Sequence, residues 1–178
     1  MTSRKCTRIG AKWKLPKYKL EWQNICAMLP TYLDDGTNGT VVYYLDGTTE
    51  EVAARLQWVL DDLLRYMHSS IEVITSQSRL RLGKNARRVP LIVTPDFCLS
   101  PIKARIPISR SDVGTGYLVL THVQDVIPHK GQNRVYFTEN VYVTVLDSRR
   151  NLWENLNLTK EMREEYIWQL TQSQCPVA

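Results

Sequence analysis

Hydrophobic and polar positions follow two rhythms along this 178-residue chain. Val52, Leu56, Val59, Leu60, Leu63 and Met67 recur every three or four residues and predict one amphipathic helix over 48–67. Thr48-Thr49-Glu50-Glu51 has the form of a capping box at its start. Arg55, Asp61, Asp62 and Arg65 fall off the stripe. Adjacent helix positions diverge by about 100°, so Asp61 and Asp62 read as a solvated face rather than an acid/base pair. Short runs rich in β-branched and aromatic residues predict strands at 40–45, 71–74, 89–95 and 117–123. Arg79 and Arg81 alternate with Leu80 and Leu82, as on a strand with one wet and one dry face. Residues 134–138 and 141–146 predict a hairpin with Glu139-Asn140 as a two-residue connection. Residues 100–107 read as a loop, and Gly114-Thr115-Gly116 as a flexible link. Met162, Tyr166, Ile167 and Leu170 mark a second helix over 159–172, its early turns acidic with Glu161, Glu164 and Glu165. The expected class is α+β: an antiparallel-rich β-sheet with one long packed amphipathic helix and a short C-terminal helix.

A hydrophobic content of 43% suits one well-buried domain. The expected organisation is a basic N-terminal arm over 1–20, a single α+β domain over 21–155 and a helical tail over 156–178. No apolar run approaches the ~20 residues that span a bilayer. The N-terminus lacks an apolar stretch after its charges, so it does not read as a secretory signal. Cys6, Cys26, Cys98 and Cys175 are scattered without a C-x-x-C pair, which fits free thiols in a reducing cytosol. The two Asn-x-Thr sequons, at Asn38 and Asn157, read as chance.

Charge changes the picture. Residues 1–20 carry seven Lys/Arg and no acid, and residues 79–110 carry eight against the single Asp96. Those stretches hold +14 and the remainder −9, so the net charge of +5 conceals two concentrated basic segments. Such concentration is the electrostatic footprint of a polyanion ligand, most often nucleic acid; a solvated surface is the bland reading. Lys12-Trp13-Lys14 and Lys17-Tyr18-Lys19 interleave rings with cations, which suits phosphate contact and stacking; a terminus docked through Trp13 is the alternative.

Catalytic signatures are missing. There is no Gly-x-Ser-x-Gly, P-loop or His-Glu-x-x-His, and His68, His122 and His129 are not spaced as a metal cluster. The expectation is therefore no enzyme, no cofactor and no metal. His122 reads as a core or sheet-face histidine with a hydrogen-bond partner. There is no zinc finger, basic zipper or RNP motif either. A helix-turn-helix is hard to place, because neither predicted helix has a basic face. Cations on strands, loops and an arm read grooves by width and potential. The candidate DNA-binding residues are Arg79, Arg81, Lys84, Arg87 and Arg88, holding phosphates or entering a narrow minor groove. Lys103, Arg105, Arg110, Lys12 and Lys14 would add backbone contacts. The rival readings are a general RNA- or ribosome-associated module, and an enzyme or adaptor whose basic segments are solvated surface.

The order of segments over about 48–155 resembles the ComK competence transcription factors of Gram-positive bacteria. The helix ending Tyr66-Met67-His68-Ser69-Ser70 is similar to that family's helix and Tyr-Gly-Ser-Ser-like turn. Arg87-Arg88-Val89-Pro90-Leu91-Ile92-Val93-Thr94-Pro95 resembles its basic-then-Pro-Ile-Leu-x-x-Pro segment, and Ser100-Pro101-Ile102-Lys103 its Phe-Pro-Thr-x-Ser segment. The stretch 117–123 is similar to its Trp-Ile-x-x-x-His-Ile-like strand, and 134–146 to its closing hairpin. The chain departs from the family around His68 and Val73, where glycine is expected, and at Tyr117, where Trp is usual. It also has no cysteine near Arg65–Met67. The resemblance implies a DNA-binding activator of DNA-uptake genes, engaging paired AT-rich boxes largely through the minor groove as a homo-oligomer. It further implies RNA polymerase as a partner, a MecA-type adaptor that hands the protein to a Clp protease, and a cytoplasmic, nucleoid-associated location.

Overall fold

The structure, a computed structural model, describes residues 15–173 apart from Lys84 and Arg87. The class is α+β, with antiparallel sheets of six and three strands. The elements are α1 (Lys17–Leu20), β1 (Ile25–Tyr32), β2 (Asn38–Tyr44), β3 (Thr49–Val52), α2 (Leu56–Tyr66), α3 (Ile71–Leu82), β4 (Leu91–Thr94), β5 (Phe97–Lys103), β6 (Thr115–Val119), β7 (Asp125–His129), β8 (Gln132–Tyr136), β9 (Tyr142–Val145) and α4 (Arg149–Ser173). The large sheet runs β3-β2-β1-β6-β5-β4 and the small one β7-β8-β9. Among the described residues, no helix is long and apolar enough to cross a membrane.

Two apolar cores lie on opposite faces of the large sheet. One joins Ile25, Met28 and Tyr44 to Leu60, Leu63 and Leu64 of α2 and Ile74 of α3. The other joins Cys26, Ala27, Ile102 and Leu118 to Val135 and Val143 of the small sheet and to Leu152 and Leu156 of α4. Ile25 through Met28 are fully buried because β1 feeds both cores. Alternation along the strand serves both cores, and a bulge between Ile25 and Ala27 leaves the consecutive Cys26 and Ala27 on the same face.

Several predicted elements change. The 48–67 helix begins only at Leu56, because Thr48 to Glu51 join a hairpin instead of capping a helix. Asp46 accepts hydrogen bonds from the Thr48 amide (2.8 Å) and hydroxyl (2.6 Å), Gly47 supplies φ 84°, and Tyr43 pairs with Thr49. Turn chemistry that closes a sheet edge wins over the capping box. Glu50 accepts from the Tyr44 hydroxyl at 2.7 Å and the Tyr18 amide at 2.9 Å.

The predicted strand at 71–74 and the alternating Arg79–Leu82 are one helix, α3. Packing of Ile74 and Ser78, four residues apart, overrides the β-branched local preference. The C-terminal helix is the longest element at 25 residues. It starts at Arg149, and Leu152, Leu156, Thr159 and Met162 bury its first half. The closing hairpin is present, but Tyr136 pairs with Tyr142, so the turn is longer than the two residues expected. The 100–107 loop begins later, since Ser100 to Lys103 belong to β5, and the Gly-Thr-Gly link is partly the start of β6. Residues 117–123 divide between β6 and a 3-10 turn, where His122 Nε2 lies 3.0 Å from the Gln23 carbonyl. The first strand, β1, and the edge strand β7 have no counterpart in the sequence reading.

At the end of α2 the chain makes a Schellman motif. The Ser69 amide donates to Leu64 O (2.7 Å) and the His68 amide to Arg65 O (3.1 Å). His68 sits at φ 58°, the left-handed position that glycine fills at lowest cost. Left-handed strain and glycine's extra chain entropy oppose each other. His68→Gly is therefore expected to raise stability by about 0.5 kcal/mol. His68→Val is expected to lower it by more than about 1 kcal/mol. Urea unfolding midpoints at unchanged slope measure both.

Candidate nucleic-acid interface

The α2–α3 pair and the 104–114 loop enclose a cleft on one face of the large sheet. A cavity of about 400 Å³ is lined by Leu56 and Gln57 of α2, Thr75 and Arg79 of α3, and Val113 and Tyr117. A recess of about 140 Å³ shares Leu56, Gln57 and Val113 and adds Arg55, Asn38 and Arg105. Arg55 is the N-cap of α2 and makes no capping bond through its side chain, so the positive end of this helix keeps its charge.

The loop is built as a brace. Its neck closes where Ala104 N (2.8 Å) and Arg105 N (3.3 Å) both donate to Gly114 O. A Cβ at Gly114 would stand 2.6 Å from Arg105 O, so only glycine permits this approach. Arg105 lies over the Tyr32 ring at 4.0 Å, donates from Nε to Val113 O (3.0 Å) and bonds Asn38 Oδ1. Its remaining terminal nitrogen, Nη1, is buried and without a partner among the described residues. Asp112 accepts from the Tyr32 hydroxyl (2.8 Å), Asn38 Nδ2 (2.9 Å) and Ser109 N (3.0 Å). These donors, Asn38 first, hold its carboxyl down at about 2. Its folded value is depressed, so the brace is fully present above the ordinary carboxylate value of about 4 and fades as pH falls towards about 2. The tip carries Ile106, Pro107, Ile108 and Arg110, all exposed.

The predicted site residues separate into three groups. Arg79 is exposed, lines the cleft and lies near enough to Tyr117 to oppose the upward push that burial gives its phenol. Arg110 is exposed at the loop tip. Lys103 ends β5 opposite Thr115, on the sheet face of Phe97 and Leu99 that α2 and α3 cover. None of these three makes an ion pair among the described residues. Arg81 and Arg88 instead hold the fold together, and Arg105 both braces the loop and lines the recess. On a helix Arg81 points about 200° away from Arg79, and it meets Glu161 (3.5 Å) and Glu165 (2.8 Å) of α4. Arg88 donates to the buried carboxylate of Asp147 at 3.0 Å, where Lys103 N also binds. Lys12, Lys14, Lys84 and Arg87 lie outside the described residues.

The docked end of the basic arm is similar. Tyr18 is buried, Lys19 meets Asp62 at 3.0 Å and Lys17 donates to Thr48 Oγ1 at 2.8 Å. Sequence reasoning missed Arg55, placed on a solvated helix face, and the isoleucines of the loop. The available signal was an Ile-Pro-Ile run between Arg105 and Arg110 in a segment already read as a loop.

No group of three or more potential metal ligands occurs among the described residues. Burial raises the Cys26 and Cys98 thiols to about 12, so neither is a thiolate nucleophile near neutral pH. No family model, curated protein or solved structure matches the chain.

The two kinds of arginine separate by stability. Arg88→Ala strands the buried Asp147 charge and is expected to cost about 2 kcal/mol in urea unfolding. Arg79→Ala is expected to change stability by less than about 0.5 kcal/mol.

Proposed function

We propose that the protein binds double-stranded DNA through the α2–α3–loop face, by backbone and minor-groove contacts at AT-rich boxes. The observation that carries this reading is the gathering of Arg55, Arg79 and Arg105 around the cleft and its recess, with Arg110 exposed on the adjoining loop. Lys103 stands on the same sheet face. Arginines set round a groove complement phosphate ridges and the negative potential of a narrow minor groove. The acids nearby are few: Glu72 lines the cavity, and the Asp112 carboxylate is held within the loop brace by its hydrogen bonds. The segment order that resembles the ComK factors extends the proposal to transcription activation of DNA-uptake genes. In that reading the protein acts as a multimer on paired boxes, engages RNA polymerase and is removed by a Clp protease through a MecA-type adaptor.

A second reading uses the major groove. Helix α2, a four-residue turn and helix α3 follow one another as in a helix-turn-helix, and α3 exposes Ser76, Gln77 and Arg79. Against it, the acidic flank of α4 at Glu161 and Glu165 lies beside the end of α3. Such charge opposes deep entry of α3 between phosphates.

Anisotropy titrations over a salt series, with an AT-rich duplex, a GC-rich duplex and an RNA hairpin, test the proposal. The AT-rich duplex is expected to bind best as salt rises, and netropsin, which fills the minor groove, is expected to displace the protein. Arg79→Ala with Arg110→Ala is expected to lower the slope of log K against log salt by about 0.9 for each phosphate no longer neutralised. Arg81→Ala is expected to leave the slope unchanged. Preference for the hairpin would move the protein to RNA; insensitivity to netropsin would favour α3 in the major groove.

A further inference from the structure

Ile106 is 71% exposed and Ile108 82% exposed, with Pro107 between them, at the tip of a loop whose following residues Ser109 to Asp112 are polar and hydrogen-bonded at its base. We propose that this tip is an apolar wedge that enters the minor groove and partly unstacks one base step; the inference rests on the DNA-binding reading above.

Three observations support it. The tip is held in advance. The neck at Gly114 and the Asp112 cluster fix both limbs, and Ile108 N donates to the Tyr32 hydroxyl at 3.0 Å just behind the tip. A wedge must be rigid, because a tip that folds away on contact transmits no force to the stack. The flanks are cationic. Arg105 lies at the root, Arg110 is two residues beyond Ile108, and Arg55 shares the recess with Arg105. Arginine beside an inserted apolar side chain is the arrangement that holds a groove open by its phosphates. The chemistry also fits the size. Two isoleucines carry less apolar surface than one acyl chain, which alone gives only marginal membrane binding, whereas a single wedge side chain suffices to open a base step.

The experiment uses the full chain and AT-rich duplexes carrying 2-aminopurine at successive positions, whose fluorescence rises on unstacking. Wild type is expected to brighten the probe at one step per bound loop. Ile106→Ala with Ile108→Ala is expected to abolish that signal and weaken binding roughly tenfold, while the salt slope stays unchanged. Both side chains are exposed, so the variant folds; its circular dichroism and urea midpoint verify this. Gly114→Ala, which displaces the loop root, is expected to reduce the signal with both isoleucines present. If wild type binds without brightening any probe, or the double variant brightens it equally, the wedge is overturned and DNA binding stands. If the double variant instead loses self-association, or loses binding to phosphatidylglycerol vesicles with the 2-aminopurine signal intact, the tip serves a second copy or a lipid surface and the wedge is overturned. If wild type binds no duplex, the DNA reading fails and takes the wedge with it.

Discussion

Burial of β1 on both faces is the constraint on which the remaining structure depends. Ile25 and Met28 belong to the core under α2 and α3, while Cys26 and Ala27 belong to the core under the small sheet and α4. A strand that feeds two cores permits no charge and little change of volume on either side. It also sets the order of the sheet. β1 pairs with β2 on one edge and β6 on the other, so two antiparallel three-strand units meet along it. Gly116 lies at that seam, where a Cβ would stand 2.7 Å from Leu29 Cδ2. The glycine is there for close strand approach and not for flexibility.

What could be read from the sequence follows from this arrangement. The stripe Leu56, Val59, Leu60, Leu63 was legible because α2 buries one face only. The closing hairpin was legible because β8 and β9 alternate buried and exposed positions. The run Ile25-Cys26-Ala27-Met28 shows neither rhythm, since both its faces are inside, and so β1 passed unread. α3 was misread for a related reason. Its β-branched residues and alternating Arg-Leu pairs favour a strand locally, and only the sheet beneath Ile74 and Ser78 decides for a helix. The first half of α4 was hidden because its stripe Leu152, Leu156, Thr159 contains a polar member, whose hydroxyl bonds back to Asn155 O at 2.7 Å.

The site was legible as a region and not as a set of residues. Clustered arginine marked 79–110 as a place where positive charge gathers. Charge counting cannot separate an arginine that meets a ligand from one that meets a carboxylate far along the chain. Arg88 and Asp147 are 59 residues apart, and Arg81 finds its acids 80 and 84 residues on. Helix geometry then divides Arg79 from Arg81, which an imagined strand had placed side by side. Three of the ten candidate cations thus stabilise the fold, and Arg55, unremarked in the sequence, joins the cleft.

The brace under the loop shows how the two levels connect. Its acceptors and rings come from the ends of the central hairpin: Tyr32 closes β1 and Asn38 opens β2. Gly39, next to Asn38, is held so closely against Leu33 that a Cβ would lie 2.5 Å from its side chain. The loop therefore inherits its position from the strand that organises both cores. Usual surface loops expose polar tips over mobile roots. This one inverts the pattern, with a hydrogen-bonded polar cluster at the root and apolar groups presented at the tip. Free energy used to order the root is spent on folding, before any ligand arrives. Binding then needs to order little more than two isoleucine side chains, each with few rotamers to lose. That division explains why Ser109, Ser111 and Asp112 bond to one another and to the hairpin, with the Asp112 carboxylate serving to order the loop.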